Sequence, residues 1–254
     1  MKKYFLGLAA IAAITLAFNY QQKPTLYLIG DSTTHNNDQT LWGWGSMIGQ
    51  YLDLDKINVN NSAMAGRSTR TFVKEGRWDK VYNNLKPGDY VIMVFGHNEG
   101  SKPDTTKGGY RGVFRGTGQD SIVFNWKDGT REVVHSYGWY LRKFVRDTKA
   151  KGATPIILSM IPRREWEKDG KIIRADKDYG KWAREVADQE GVAFIDMNSI
   201  TADKYDKMPH DTVYALFPGD HTHTGKKGAD INAQSVIEGL KMQPNITLNN
   251  YIKK

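Results

Sequence analysis

The chain has 254 residues with a formal charge of +8 and no cysteine, which excludes disulfides, thiolate metal sites and a lipid-anchored cysteine. Its length suits one α/β domain with a substantial core, and its basic balance favours a polyanionic partner. It carries no zinc pattern, basic heptad or stacked-aromatic RNA signature, so no nucleic-acid partner is expected.

Lys2-Lys3, the apolar run Tyr4 to Phe18 and the polar stretch Asn19 to Lys23 have the layout of a secretory signal peptide. The apolar segment is too short to span a bilayer comfortably. Residues 1–22 are therefore expected to direct export, to a periplasm or beyond the cell, and then to be removed. Residues 23–254 are expected to form a single domain with no membrane attachment.

Apolar β-rich runs then alternate with helical patterns. Strands are expected at Thr25 to Ile29, Lys56 to Asn60, Asp89 to Phe95, Thr154 to Ser159 and Val192 to Asp196. Helices are expected near Leu41 to Leu52, Trp78 to Leu85, Tyr137 to Ala150, Asp176 to Glu190 and Lys226 to Leu240. Such alternation makes a central parallel sheet with helices on both faces, a three-layer α/β/α sandwich. Gly100 to Val134 breaks the pattern. It is glycine-rich, and its second half reads as a hairpin, Ile122 to Trp126 and Thr130 to Val134 around Asp128-Gly129. A long insertion at a strand's carboxyl end either shapes a binding cleft or is a surface loop.

Four fragments carry chemistry: Gly30-Asp31-Ser32, Gly66, Gly96-His97-Asn98 and Asp220-His221-Thr222-His223. Ser32 directly follows a buried strand, at the edge where parallel sheets place ligands. Alone, a Ser in that place is more often the N-cap of the next helix. Asp220 and His223 change that, because three residues apart in a turn the carboxylate reaches Nδ1 and leaves Nε2 for a serine. The Asn98 amide, the Gly66 N–H and the Ser32 N–H can supply oxyanion donors. These are the parts of a serine hydrolase that needs no metal or other cofactor. Asp220, His221 and His223 also resemble a metal cluster, but no further ligand stands in a zinc pattern. A P-loop fails on glycine spacing, and no G-x-S-x-G elbow is present. His35, His135 and His210 have no partner visible in the sequence.

The blocks resemble those of the SGNH (GDSL) hydrolases. The wider segments Asp31-Ser32-Thr33, Ala65-Gly66-Arg67-Ser68, Phe95-Gly96-His97-Asn98 and Phe217 to Thr224 resemble the rhamnogalacturonan acetylesterases. The resemblance implies a flavodoxin-like fold and removal of acetyl groups from pectic polysaccharide. By position it makes Ser32 the nucleophile, His223 the base, Asp220 its partner, and Gly66 and Asn98 oxyanion donors with the Ser32 amide. Glu99 stands where that family is expected to carry Asp, a residue beside the site and outside it.

The expected substrate is an acetylated acidic polysaccharide or oligosaccharide. Arg67, Arg70, Arg163 and Arg164 are candidates for its carboxylates, and Trp166 for a sugar face. The competing reading pairs these arginines with local acids such as Glu165 and Asp169. Acetylated xylan and lipid or thioester substrates are alternatives within the superfamily. A non-catalytic glycan-binding protein is the alternative outside enzymes, and the complete set of Ser32, Asn98, Asp220 and His223 argues against it.

Overall fold

A computed structural model describes residues 23–36 and 39–254; the expected signal segment lies outside the described residues. Strand β1 (Thr25–Gly30) sends Leu26 and Leu28 to one side and Tyr27 and Ile29 to the other, all buried. Burial on both faces marks a central strand of a parallel sheet. There follow β2 (Asn58–Asn61), α1 (Thr69–Lys74), α2 (Arg77–Asn84) and β3 (Tyr90–Val94). The hairpin β4 (Ser121–Asn125) and β5 (Arg131–His135) precedes α3 (Tyr137–Ala150), β6 (Thr154–Leu158), α4 (Tyr179–Glu190) and β7 (Ala193–Ile195). The chain then forms α5 (Met197–Tyr205), α6 (His210–Ala215) and α7 (Lys226–Lys241).

The main sheet is parallel, in the order β2-β1-β3-β6-β7. With the hairpin set aside this is the 2-1-3-4-5 doubly wound order, whose switch point lies between β1 and β3. Helices α1 to α4 cover one face through Phe72, Trp78, Phe144 and Val186, packed on Ile29, Val91 and Met93. The Trp78 and Phe144 ring centroids lie 4.9 Å apart. Helix α7 covers the other face through Ala233, Val236 and Leu240, together with Trp44 and Ile48. The three layers therefore follow from the alternation of apolar residues along the strands. Among the described residues no helix is long and apolar enough to cross a membrane.

The expected helix over 41–52 is two short 3-10 turns, Trp44–Ser46 and Ile48–Tyr51. Gly43 and Gly45 explain the difference. A Cβ on Gly43 would lie 2.4 Å from the Thr34 carbonyl carbon, and one on Gly45 2.7 Å from the Thr34 oxygen. The segment runs against the backbone that follows β1 and hydrogen-bonds to it, Trp44 N–H to Thr33 and Gly45 N–H to Thr34, each at 3.0 Å. Helix α4 starts at the Asp178 cap, later than expected. Helices α1, α5 and α6 are too short for periodicity to reveal, although a Ser68–Thr71 capping box marks α1. The hairpin forms around the expected turn with each strand shifted by one residue.

Candidate active site

The carboxyl ends of β1, β2 and β3 bring Ser32, Gly66 and Asn98 to one edge of the sheet, and the loop before α7 brings His223 against them. Ser32 Oγ lies 2.7 Å from His223 Nε2, and His223 Nδ1 lies 2.7 Å from Asp220 Oδ2. The other oxygen of Asp220 accepts the Thr222 and His223 backbone N–H groups, at 2.6 and 2.7 Å. That turn is why the D-x-x-H spacing works: one carboxylate shapes the loop and orients the ring it carries. Burial pushes the Asp220 carboxyl up, but the two amides and the imidazole outweigh it and hold the group down at about 2. The loop itself is held at both ends. Trp42 N–H donates to Thr224 O at 2.8 Å, and Arg164 N–H to His221 O at 2.8 Å.

Gly66 has φ +75°, a backbone conformation that favours glycine. The amides of Ser32 and Gly66 donate to no turn or loop carbonyl among the described residues. The Asn98 carbonyl oxygen accepts from Arg111 Nη1 at 2.8 Å. A guanidinium only donates, so this contact fixes which end of the amide is oxygen. The amide nitrogen donates to Arg67 O at 3.1 Å, and stands 3.5 Å from Asp31 Oδ2. The longer contact is weak enough to give way to an oxyanion.

Glu99 is no bystander. It is fully buried beneath the site and accepts the Thr69 N–H at 2.8 Å and the Asn98 N–H at 2.9 Å, joining the start of α1 to the Asn98 turn. Burial raises its carboxyl to about 8, against the pull of those amides. His97, whose ring nitrogens are both buried without a partner, is pushed by burial in the opposite direction, to about 4.

These shifts fix the signs of two pH effects. Glu99, raised in the folded protein, contributes stability that is full below its unfolded value near 4.5 and is lost as pH rises through about 8. His97, depressed in the folded protein, contributes stability that is present above about 6.5 and is lost as pH falls towards about 4. Between pH 6.5 and 8 the Glu99 effect stands clear of the other. Folding free energy should fall there as pH rises, and Glu99→Gln should flatten the slope. Denaturant titrations at several pH values would show it, and parallel profiles for both proteins would refute it.

Of the five substrate-contact candidates, Arg70 is corrected outright. It is fully buried and paired with Glu132 through two bonds of 2.8 and 2.9 Å, so it cannot meet a glycan. The Arg67 side chain is taken by Glu75 at 2.9 Å and by Ala65 O at 2.9 Å; only its carbonyl reaches the site. Arg164 lies 4.0 Å over the Tyr214 ring. Trp166 stacks on His210 and Tyr214 of α6, with centroids 4.6 and 5.3 Å away. Arg163 differs from the rest. It has no ion pair among the described residues, and it lines a cavity of about 310 Å³ together with His97, Arg115, Tyr179 and Asn198. A larger cavity of about 470 Å³ opens near Thr25 and Asp89, at the opposite edge of the sheet, and includes no residue of the site. Arg111 was not singled out by the sequence, where it is one cation inside a glycine-rich insertion. Among the described residues no group of three His, Asp or Glu side chains is arranged to hold a metal, and His221 faces Glu165 at 3.5 Å.

Comparisons with known proteins give the family of the chain. Residues 28–231 match the GDSL-like lipase/acylhydrolase family. A rhamnogalacturonan acetylesterase of Emericella nidulans is 31% identical over 218 residues, covering 85% of this chain and 84% of the relative. The probable rhamnogalacturonan acetylesterase YesY of Bacillus subtilis is 29% identical, covering 85% and 92%. Among solved structures, protein YxiM of Bacillus subtilis superposes with a TM-score of 0.70 at 24% identity, covering 88% of this chain, which spans 58% of that one. The acetylxylan esterase Axe2 of Geobacillus stearothermophilus superposes with a TM-score of 0.58 at 18% identity, covering 85% and 94%. With a family match that runs from within β1 into α7, the chain belongs to the GDSL-like lipase/acylhydrolase family and is a carboxylic ester hydrolase.

Proposed function

We propose that this protein removes O-acetyl groups from plant cell-wall polysaccharide, with the rhamnogalacturonan backbone of pectin as its substrate, after export directed by residues 1–22. The observation that carries the reading is the hydrogen-bonded line Ser32–His223–Asp220, which ends at the same edge of the sheet as Gly66 and Asn98. In this reading Ser32 Oγ attacks the ester carbonyl as His223 Nε2 takes its proton. The oxyanion is received by the Ser32 N–H, the Gly66 N–H and Asn98 Nδ2. Collapse expels the sugar hydroxyl, protonated by His223, and leaves an acetyl ester on Ser32. Water, deprotonated by His223, then attacks that ester and releases acetate.

The polysaccharide reading is supported by the two acetylesterase relatives and by the Arg163 cavity beside His97. A guanidinium without an acidic partner suits the carboxylate of a uronic acid. Arg163→Ala should therefore raise KM on acetylated pectic oligosaccharide about fivefold, leave a small neutral ester unchanged, and lose its effect in high salt. Equal loss on both substrates would remove the support for an acidic glycan. A second reading rests on an apolar groove of about 440 Å³, lined by Pro103, Val113, Phe114 and Ile122, which meets the cavity at Gly100 and Arg115. It suits an acyl chain longer than acetyl. Acid release from acetylated pectin, acetylated xylan and simple esters of increasing chain length decides between them, since preference for acetate on pectin is the expected result and preference for long chains overturns it.

A further inference from the structure

We infer that Arg111, supplied by the insertion, is a positioning residue of the oxyanion hole, acting through Asn98. The inference rests on the esterase reading of Ser32, Asn98 and His223. Arg111 Nη1 donates to the acceptor end of the Asn98 amide, Oδ1, at 2.8 Å, and stands 3.5 Å from Gly66 O, the carbonyl of the peptide that follows the one carrying the Gly66 N–H. The same nitrogen is 3.9 Å from where a Cβ on Gly66 would lie. With its oxygen held by Arg111, the Asn98 side chain cannot turn that oxygen towards the reacting carbonyl. A hydrogen bond from a cation to the amide oxygen also draws electron density from the nitrogen, which makes its N–H groups better donors. No carboxylate among the described residues forms an ion pair with Arg111, whose direct side-chain bond is the one to Asn98.

The fold fixes this guanidinium through a second one. Buried Arg70 donates from Nη1 to the carbonyls of Asp104, Gly109 and Gly112, at 3.1, 3.0 and 3.2 Å, while its other edge holds Glu132 of β5. Asp104 in turn accepts from the Thr106 N–H and hydroxyl, both at 2.7 Å. The segment that carries Arg111 is thus tied to α1 on one side and to the hairpin on the other. The insertion is part of the site, and Arg70 serves it from behind.

A double-mutant cycle on a small neutral ester tests the inference. Arg111→Ala should lower kcat roughly 10- to 100-fold with KM changed by less than about threefold, because the lost interaction strengthens only as charge develops. Asn98→Ala should cost roughly 10²- to 10³-fold. In the Asn98→Ala background, Arg111→Ala should cost less than about threefold, since its route to the oxyanion is already gone. Guanidinium ions should restore part of kcat to Arg111→Ala and none to Asn98→Ala. Thermal melting checks that each variant folds, and Arg111→Met, which keeps the length without the charge or the donor, replaces the alanine if that one does not. Wild-type kcat in Arg111→Ala, or full additivity in the cycle, would overturn the inference. Ser32→Ala run alongside separates the two failures: an active Ser32→Ala defeats the esterase reading itself, whereas an inactive one beside a fully active Arg111→Ala defeats only the role of Arg111.

Discussion

Ser32→Ala is expected to lower ester hydrolysis by roughly 10⁴-fold or more, with the folded protein intact. The hydroxyl is the group that forms the covalent bond, and the remaining donors can only stabilise attack by water, which is badly placed for it. The structural cost is small. Ser32 is buried, its Oγ spends its bond on His223 at 2.7 Å, and deleting one such bond costs about 1 kcal/mol. Thermal melting should therefore hardly move while kcat collapses. In the wild-type protein activity should fall on acidification, because the imidazole must be neutral to accept the serine proton. The carboxylate behind it is not the source of that loss, since Asp220 is held ionised down to about 2. Near-wild-type turnover by a folded Ser32→Ala protein would end the assignment of the nucleophile.

What could be read in the sequence was what is local. Ser32 and Asn98 stood out because each follows a buried apolar run, so the strand reading placed both at one sheet edge before any contact was known. Asp220 and His223 stood out because a three-residue turn brings a carboxylate to an imidazole without help from the rest of the chain. Arg111, Glu99 and Arg70 act through contacts that spacing does not encode. Arg111 meets Gly66 across 45 residues, Arg70 meets Glu132 across 62, and Glu99 reaches back 30 residues to Thr69. The arginines could not be told apart for the same reason: a guanidinium near a site looks alike whether it awaits a substrate or is already paired. Arg67 and Arg70 were already paired, and Arg163 was not. The 41–52 segment misled because its apolar residues have helical spacing, while its glycines serve a close backbone approach that only the folded chain reveals.

Asp220→Asn should be the second great loss, on the order of 10⁴-fold in kcat, and it should come without unfolding. The loss follows from the three bonds the carboxylate accepts. Two come from the backbone N–H groups of Thr222 and His223 on one oxygen, and the third from His223 Nδ1–H on the other. An asparagine has one oxygen for those two sites. If the oxygen keeps the backbone amides, the NH2 faces Nδ1, two donors oppose each other, and the ring must move its proton to Nε2. A ring protonated there donates to Ser32 and cannot accept from it. If the amide turns round to satisfy Nδ1, its NH2 faces two backbone N–H groups and the turn that carries His223 loses its cap. Neither orientation leaves both the loop and the tautomer correct, and the first, which preserves the fold, is the one that stops catalysis. The same substitution also removes the negative charge that stabilises the imidazolium formed during attack. Measured on a small ester with melting as a control, a loss below about tenfold would mean that the carboxylate only shapes the loop, and that His223 finds its tautomer from some other partner.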